Sequence, residues 1–227
     1  MHNGDGMTKI KLCGIRKLSD VDTVNELKPD YIGFVFCRSS KRYIEPSEAL
    51  RIRSKLDPKI KTVGVFVDED EDTVAGLLND GTIDLIQLHG HEDAEYIRRL
   101  RHLTGRPYDA DGSGQHIIKA CRITSKTDLA GLEKEYGMTA DVRPDFFLLD
   151  AGAGDGIKFD WEWLKGYDIP YILAGGLTPD NVGKAIEMLR PYGVDVSSGI
   201  ETDGSKDPEK MARFVREVKD ADKKIGD

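Results

Sequence analysis

Short apolar runs alternate along the chain with longer stretches in which apolar residues recur every three or four positions. The runs lie at 9–13, 31–36, 62–67, 85–89, 117–122, 146–150, 171–174 and 194–197, and read as eight β-strands. The amphipathic stretches predict helices over 19–28, 47–56, 71–78, 92–103 and 179–189, with another at 208–218 after the last strand. Ser19, Ser47 and Thr178 followed by Pro179 offer N-caps or an early proline. A helix in each crossover makes parallel pairing the natural outcome. An open doubly wound sheet would show the same alternation, but eight units in 227 residues favour closure. The predicted fold class is α/β, a single-domain (β/α)8 TIM barrel over residues 9–227. Residues 1–8 read as a flexible tail, and 105–115 as a loop insertion.

Charge and cysteine content narrow the function. Asp and Glu number 41 against 33 Lys and Arg, a net charge of -8. That excludes a general nucleic-acid footprint but leaves room for a small anionic ligand on a local basic patch. No apolar run approaches the roughly 20 residues that cross a bilayer, and the polar start lacks the apolar stretch of a signal peptide. Three cysteines, Cys13, Cys37 and Cys121, are too few for a disulfide framework and fit a reducing cytoplasm.

In such a barrel, chemistry sits where strands end. Ile10 and Leu12 share one face of the first strand, so Lys11 and Cys13 point to the axis. Cys13 is therefore either a small buried hydrophobe or a thiolate base whose ionisation nearby positive charge favours. Asp150 closes the apolar sixth strand, as a general acid with a raised pKa or as a cap for the loop behind it. The following Gly152, Gly154 and Gly156 suit close backbone approach to a ligand or a tight turn. Arg38, Lys41 and Arg42 follow the second strand, with Arg16 and Arg122 at the same rim. They form either a carboxylate-gripping field or solvated surface. Gly175 and Gly176 after strand seven, with Ser197, Ser198 and Gly199 after strand eight, match a barrel phosphate site. His89 and His91 have metal-ligand spacing, but no third ligand reaches that rim. His89 reads as a pocket-lining donor, and no metal or cofactor is expected. Asp68–Asp72 should start a helix and complement its dipole. The strand faces also predict that Asp195, on the inward face with Ser197, pairs with Lys11 below Cys13 and that Lys11 favours the thiolate.

Together the motifs resemble the phosphoribosylanthranilate isomerase family. They run Lys11-Leu12-Cys13-Gly14-Ile15, Gly33-Phe34-Val35-Phe36, Ser40-Lys41-Arg42-Tyr43-Ile44 and Val63-Gly64-Val65-Phe66-Val67. They continue as Gln87-Leu88-His89-Gly90, Leu148-Leu149-Asp150, Phe159-Asp160-Trp161, Ala174-Gly175-Gly176-Leu177 and Asp195-Val196-Ser197-Ser198-Gly199, in the family's order. The resemblance implies an Amadori rearrangement of N-(5′-phosphoribosyl)anthranilate in tryptophan biosynthesis. It makes Asp150 the acid, Cys13 the base, Arg42 the anthranilate carboxylate clamp, and the loops of strands seven and eight the phosphate cradle. The expected partner is a phosphorylated small molecule, bound by a monomer or homodimer without nucleic acid or membrane. Two departures from the family pattern stand out: Asp155 between Gly154 and Gly156, and Arg16 where threonine is usual. A histidine-pathway isomerase would carry aspartate in place of Cys13 and hold two phosphates. A catalytically dead binding barrel has no need of Cys13 and Asp150.

Overall fold

The computed structural model describes residues 7–106, 116–136, 142–150 and 161–226. Eight parallel strands close in chain order, with the first returning to pair with the eighth. They are β1 (Lys9–Cys13), β2 (Tyr31–Val35), β3 (Lys61–Phe66), β4 (Leu85–Leu88), β5 (Ile117–Arg122), β6 (Phe146–Asp150), β7 (Tyr171–Ala174) and β8 (Gly193–Val196). Every expected strand is present, with small slips at the ends of β2, β3, β4 and β8.

The helices are α1 (Val21–Leu27), α2 (Pro46–Arg53), α3 (Glu71–Asn79), α4 (Ala94–Thr104), α5 (Lys126–Tyr136), α6 (Val182–Leu189) and α7 (Pro208–Gly226). Their starts correct several caps. Ser19 lies inside a 3-10 turn, Leu18–Asp20, instead of capping α1. Pro46 at the first helical position, after extended Glu45, starts α2 one residue before Ser47. Asp93 caps α4 by accepting from Tyr96 N at 2.8 Å, so Glu92 stays outside the helix. Pro179 belongs to a turn, in which Asn181 Oδ1 accepts from Thr178 N, and α6 follows it. Asp70 caps α3 by accepting from Thr73 N at 3.1 Å, with Glu71 and Asp72 in the first turn, as the acidic run suggested. Helix α5 buries Leu129, Leu132 and Tyr136 within a charged stretch, which leaves its apolar period faint in the sequence. After β6, a 3-10 turn (Trp161–Leu164) stands among the described residues where other units have a helix.

Alternation along the strands separates two apolar sets. Ile10, Leu12, Ile32, Phe34, Leu88, Leu149 and Leu173 pack outward against helix residues such as Val24, Ile52, Ile97, Ile186 and Phe214. Val63, Leu85, Ile118, Phe146, Leu148 and Ile172 plug the barrel from inside. Nearer the strands' C-terminal ends, Cys13, Val35 and Val65 form a small separate cluster that Cys37 joins. The plug is built of apolar side chains, and Cys13 and Asp150 stand beyond it at that end of the strands. Of the expected tail, 1–6 lie outside the described residues, while Thr8 is already tied down, its hydroxyl donating to Asp222 at 2.6 Å. Most of the expected loop insertion, 107–115, also lies outside them. No helix among the described residues is long and apolar enough to cross a membrane.

Candidate active site

Cys13 ends β1 on the inward face and is buried. Beneath it Lys11, 1% exposed, donates from Nζ to Asp195 Oδ1 at 2.9 Å, the pair that the strand faces predict. The register Lys11↔Asp195 between β1 and β8 makes this contact inevitable once the barrel closes. Gly33, opposite Cys13 on β2, leaves the space that both side chains use. A Cβ there would stand 2.7 Å from Cys13 Sγ and 3.1 Å from Lys11 Nζ.

Burial pushes the Cys13 thiol above its ordinary value. Lys11 pulls it back, Asp195 pushes it up again, and Lys206 pulls it down. Lys11 itself is raised despite its burial, because Asp195 and then Cys13 hold its proton. The expectation that Lys11 favours the thiolate is thus right in sign, but desolvation outweighs it and the resting group is mainly the thiol.

Asp150 ends β6 on the inward face shared with Phe146 and Leu148, three strands round the wall from Cys13 through β8 and β7. His89 Nε2 lies 3.5 Å from Asp150 Oδ2. Its other nitrogen, Nδ1, is 3.2 Å from Gln87 Nε2. The imidazole thus bridges the Gln87 amide and the Asp150 carboxylate, one ring nitrogen facing each. Glu92 fixes this turn by accepting from Gly90 N and Lys119 Nζ, each at 2.8 Å. The neighbouring His91 turns away to Asp68, so the two histidines do not converge. Among the described residues no group of three His, Cys, Asp or Glu is placed to hold a metal ion.

Of the basic residues after β2, only Arg42 is drawn into the mouth. Arg38 and Lys41 are exposed, and Arg38 lies over the Tyr43 ring at 5.2 Å. Arg42 packs over Gly14, whose φ of +80° suits glycine and whose missing Cβ would stand 2.7 Å from Arg42 Cδ. Glu201 grips the guanidinium side-on, accepting from Nε at 2.7 Å and Nη2 at 2.8 Å. Arg16 belongs to the scaffold at this rim, donating to Gly204 O at 2.9 Å. Arg122 is exposed at the end of β5, in register with Asp150.

Gly175 and Gly176, with φ of +87° and +65°, turn the chain sharply after β7. After β8, a 3-10 turn (Ser198–Ile200) packs against them so closely that a Cβ on Gly199 would stand 1.9 Å from Leu177 O. Ser197 Oγ donates to Cys13 O at 3.3 Å, tying this corner to β1. Asp195 lies a layer lower, engaged with Lys11. Gly154 and Gly156, with Gly152 and Asp155, lie outside the described residues.

Sequence reasoning missed a hairpin, β9 (Glu201–Thr202) with β10 (Ser205–Lys206). It supplies Glu201 and Lys206, whose ammonium is 2% exposed and donates to Glu201 Oε1 at 2.8 Å and Ser197 O at 2.9 Å. The readable signal was Asp203-Gly204: both have positive φ, 50° and 73°, as a two-residue hairpin turn of this kind requires.

The chain as a whole is similar to proteins of known family. Residues 10–217 match the family model described as N-(5′phosphoribosyl)anthranilate (PRA) isomerase. An N-(5′-phosphoribosyl)anthranilate isomerase of Thermoanaerobacter sp. is 43% identical over 215 residues, 94% of this chain and 98% of that protein. A phosphoribosyl anthranilate isomerase solved with reduced 1-(o-carboxyphenylamino)-1-deoxyribulose 5-phosphate superposes with a TM-score of 0.77 at 33% identity. The match covers 94% of this chain and all of that one. Monomers made from the dimeric enzyme of Thermotoga maritima give 0.75 at 32%, with the same coverage. With a match from the first strand to the last helix, this chain belongs to the N-(5′-phosphoribosyl)anthranilate isomerase family.

Proposed function

We propose that Cys13 and Asp150 are the base and the acid with which this chain isomerises N-(5′-phosphoribosyl)anthranilate to 1-(2-carboxyphenylamino)-1-deoxyribulose 5-phosphate in tryptophan biosynthesis. The observation that carries the reading is their placement. Both end inward faces at the same rim, on walls separated by two strands, so one sugar can lie between them. Asp150 gives its proton to the ribose ring oxygen, and the C1′–O bond breaks to leave a protonated Schiff base. That cation acidifies the C2′ proton, which the Cys13 thiolate removes, giving an enolamine. The enol oxygen then loses its proton as C1′ gains one, which completes the ketone. Proton transfer from the Cys13 thiol back to the Asp150 carboxylate through solvent resets both groups, so no atom is gained or lost and no cofactor enters.

Arg42 clamps the anthranilate carboxylate, His89 lines the pocket beside Asp150, and Gly154 and Gly156 help hold the phosphate with the loops of β7 and β8. Asp195 and Ser197 support this site from below and beside Cys13. Three free thiols suit work in the cytoplasm, as a monomer or homodimer. Assaying consumption of phosphoribosylanthranilate by wild type, Cys13→Ala and Asp150→Asn tests the roles. Each variant should lose at least about a thousandfold in kcat while still binding the reduced product. Equal rates in all three would remove both assignments.

A further inference from the structure

The side-on grip of Glu201 on Arg42 uses Nε and one hydrogen of Nη2, and leaves the end-on fork, Nη1 with the other Nη2 hydrogen, for a second planar anion. Glu201 is itself fixed. Its side chain is 8% exposed, Lys206 donates to its Oε1, and the same ammonium ties the hairpin to Ser197 O at the end of β8. Lys17 and Arg16 pin the hairpin's far side through Ser205 Oγ and Gly204 O, each at 2.9 Å. Two cations face one anion in this group, so one positive charge is left over at the mouth.

We propose that Glu201 is a positioning residue for carboxylate recognition: by holding one edge of Arg42, it presents the opposite edge to the aromatic carboxylate of the substrate. Lys206 acts through Glu201, keeping its carboxylate ionised and in place. This rests on the reading of Arg42 as the carboxylate clamp and adds a residue that the reading does not contain. A guanidinium held on one side reaches a planar anion with fewer rotamers to lose, and the benefit falls only on ligands that carry that anion.

The test compares two probes by calorimetry: reduced 1-(o-carboxyphenylamino)-1-deoxyribulose 5-phosphate, and the same molecule without its carboxylate. Wild type should prefer the first by about 30- to 100-fold. Glu201→Gln should shrink that preference about tenfold while binding the second probe as wild type does, and Glu201→Asp, which keeps the charge on a shorter arm, should fall between. A preference unchanged in Glu201→Gln, or equal weakening of both probes, overturns the inference and leaves the Arg42 reading standing. Absence of any preference in wild type overturns the clamp reading and this one with it. Should Glu201→Gln fail to fold, Glu201→Asp with an undiminished preference is the overturning result.

Discussion

Replacing Lys11 by Met separates what the buried ammonium does for the fold from what it does for the thiol. A Cβ on Gly33 would lie 2.7 Å from Cys13 Sγ and 3.1 Å from Lys11 Nζ, so sulfur and ammonium are within about 6 Å. At an effective dielectric of about 20, one charge at that distance is worth about 3 kcal/mol to a thiolate. Asp195, 2.9 Å from the same ammonium, opposes the thiolate and cancels part of this. Replacing Lys11 alone leaves Asp195 in place, so the whole Lys11 contribution is lost, about a hundredfold in thiolate at neutral pH. The sign follows directly. Without Lys11 the thiol is held still higher, so kcat/KM falls most at low pH, and the two enzymes converge once both thiols are ionised. The assay is kcat/KM against pH for wild type and variant. A ratio near one at neutral pH, or a reduced ratio that does not recover in alkaline solution where the wild-type thiol ionises, would refute the electrostatic role. Stability reports the other contribution. Lys11→Met strands Asp195 in the wall, costing about 3–5 kcal/mol, or a melting temperature lower by about 6–20 °C. Adding Asp195→Leu should recover most of the stability and, by removing the charge that opposes the thiolate, part of the activity lost at neutral pH.

Other expectations follow from single contacts. Gly14→Ala adds a Cβ at φ +80°, 2.7 Å from Arg42 Cδ. It should cost about 1–3 kcal/mol in urea unfolding and raise KM more than it lowers kcat. Gly199→Ala drives a Cβ into the backbone oxygen of Leu177, so the two loops must part. KM for the phosphorylated substrate should rise at least about tenfold, and an unchanged KM would dissociate these loops from the phosphate. Burial raises Glu201, but hydrogen bonds from Arg42 and Lys206 outweigh it and hold the group at about 2. Because the folded value is depressed, this stabilisation is whole above the ordinary carboxylate range and fades as pH falls towards about 2. Urea midpoints of Glu201→Gln should therefore lie below wild type at neutral pH and approach it in acid. Midpoints that run parallel would argue against that linkage.

Why the barrel was legible and parts of its mouth were not comes down to how each residue is selected. A wall strand needs apolar side chains on both faces, and that demand writes a dense local pattern, so all eight strands can be read to within a residue at their ends. Lys11 interrupts that pattern on the inward face of β1. Parallel closure then leaves Asp195 as the neighbour in register, which made the ion pair deducible from period two alone. Cys13 and Asp150 stand out for the same reason, as polar ends of apolar runs. Glu201 and Lys206 belong to a two-residue-per-strand hairpin with too few side chains to show any period. Each looks locally like one more charge in an acidic chain, and their partners, Arg42 and Ser197, come from other elements. The helix starts slipped for a related cause: Ser19 and Ser47 have capping chemistry, but the backbone at Leu18–Asp20 and at Pro46 had already chosen another geometry. Local composition thus records what each residue needs from its own segment. The orientation of Arg42 is set by what closure brings to it from far along the chain, and a residue of that kind can be found only by asking which buried charges the closed barrel would otherwise leave alone.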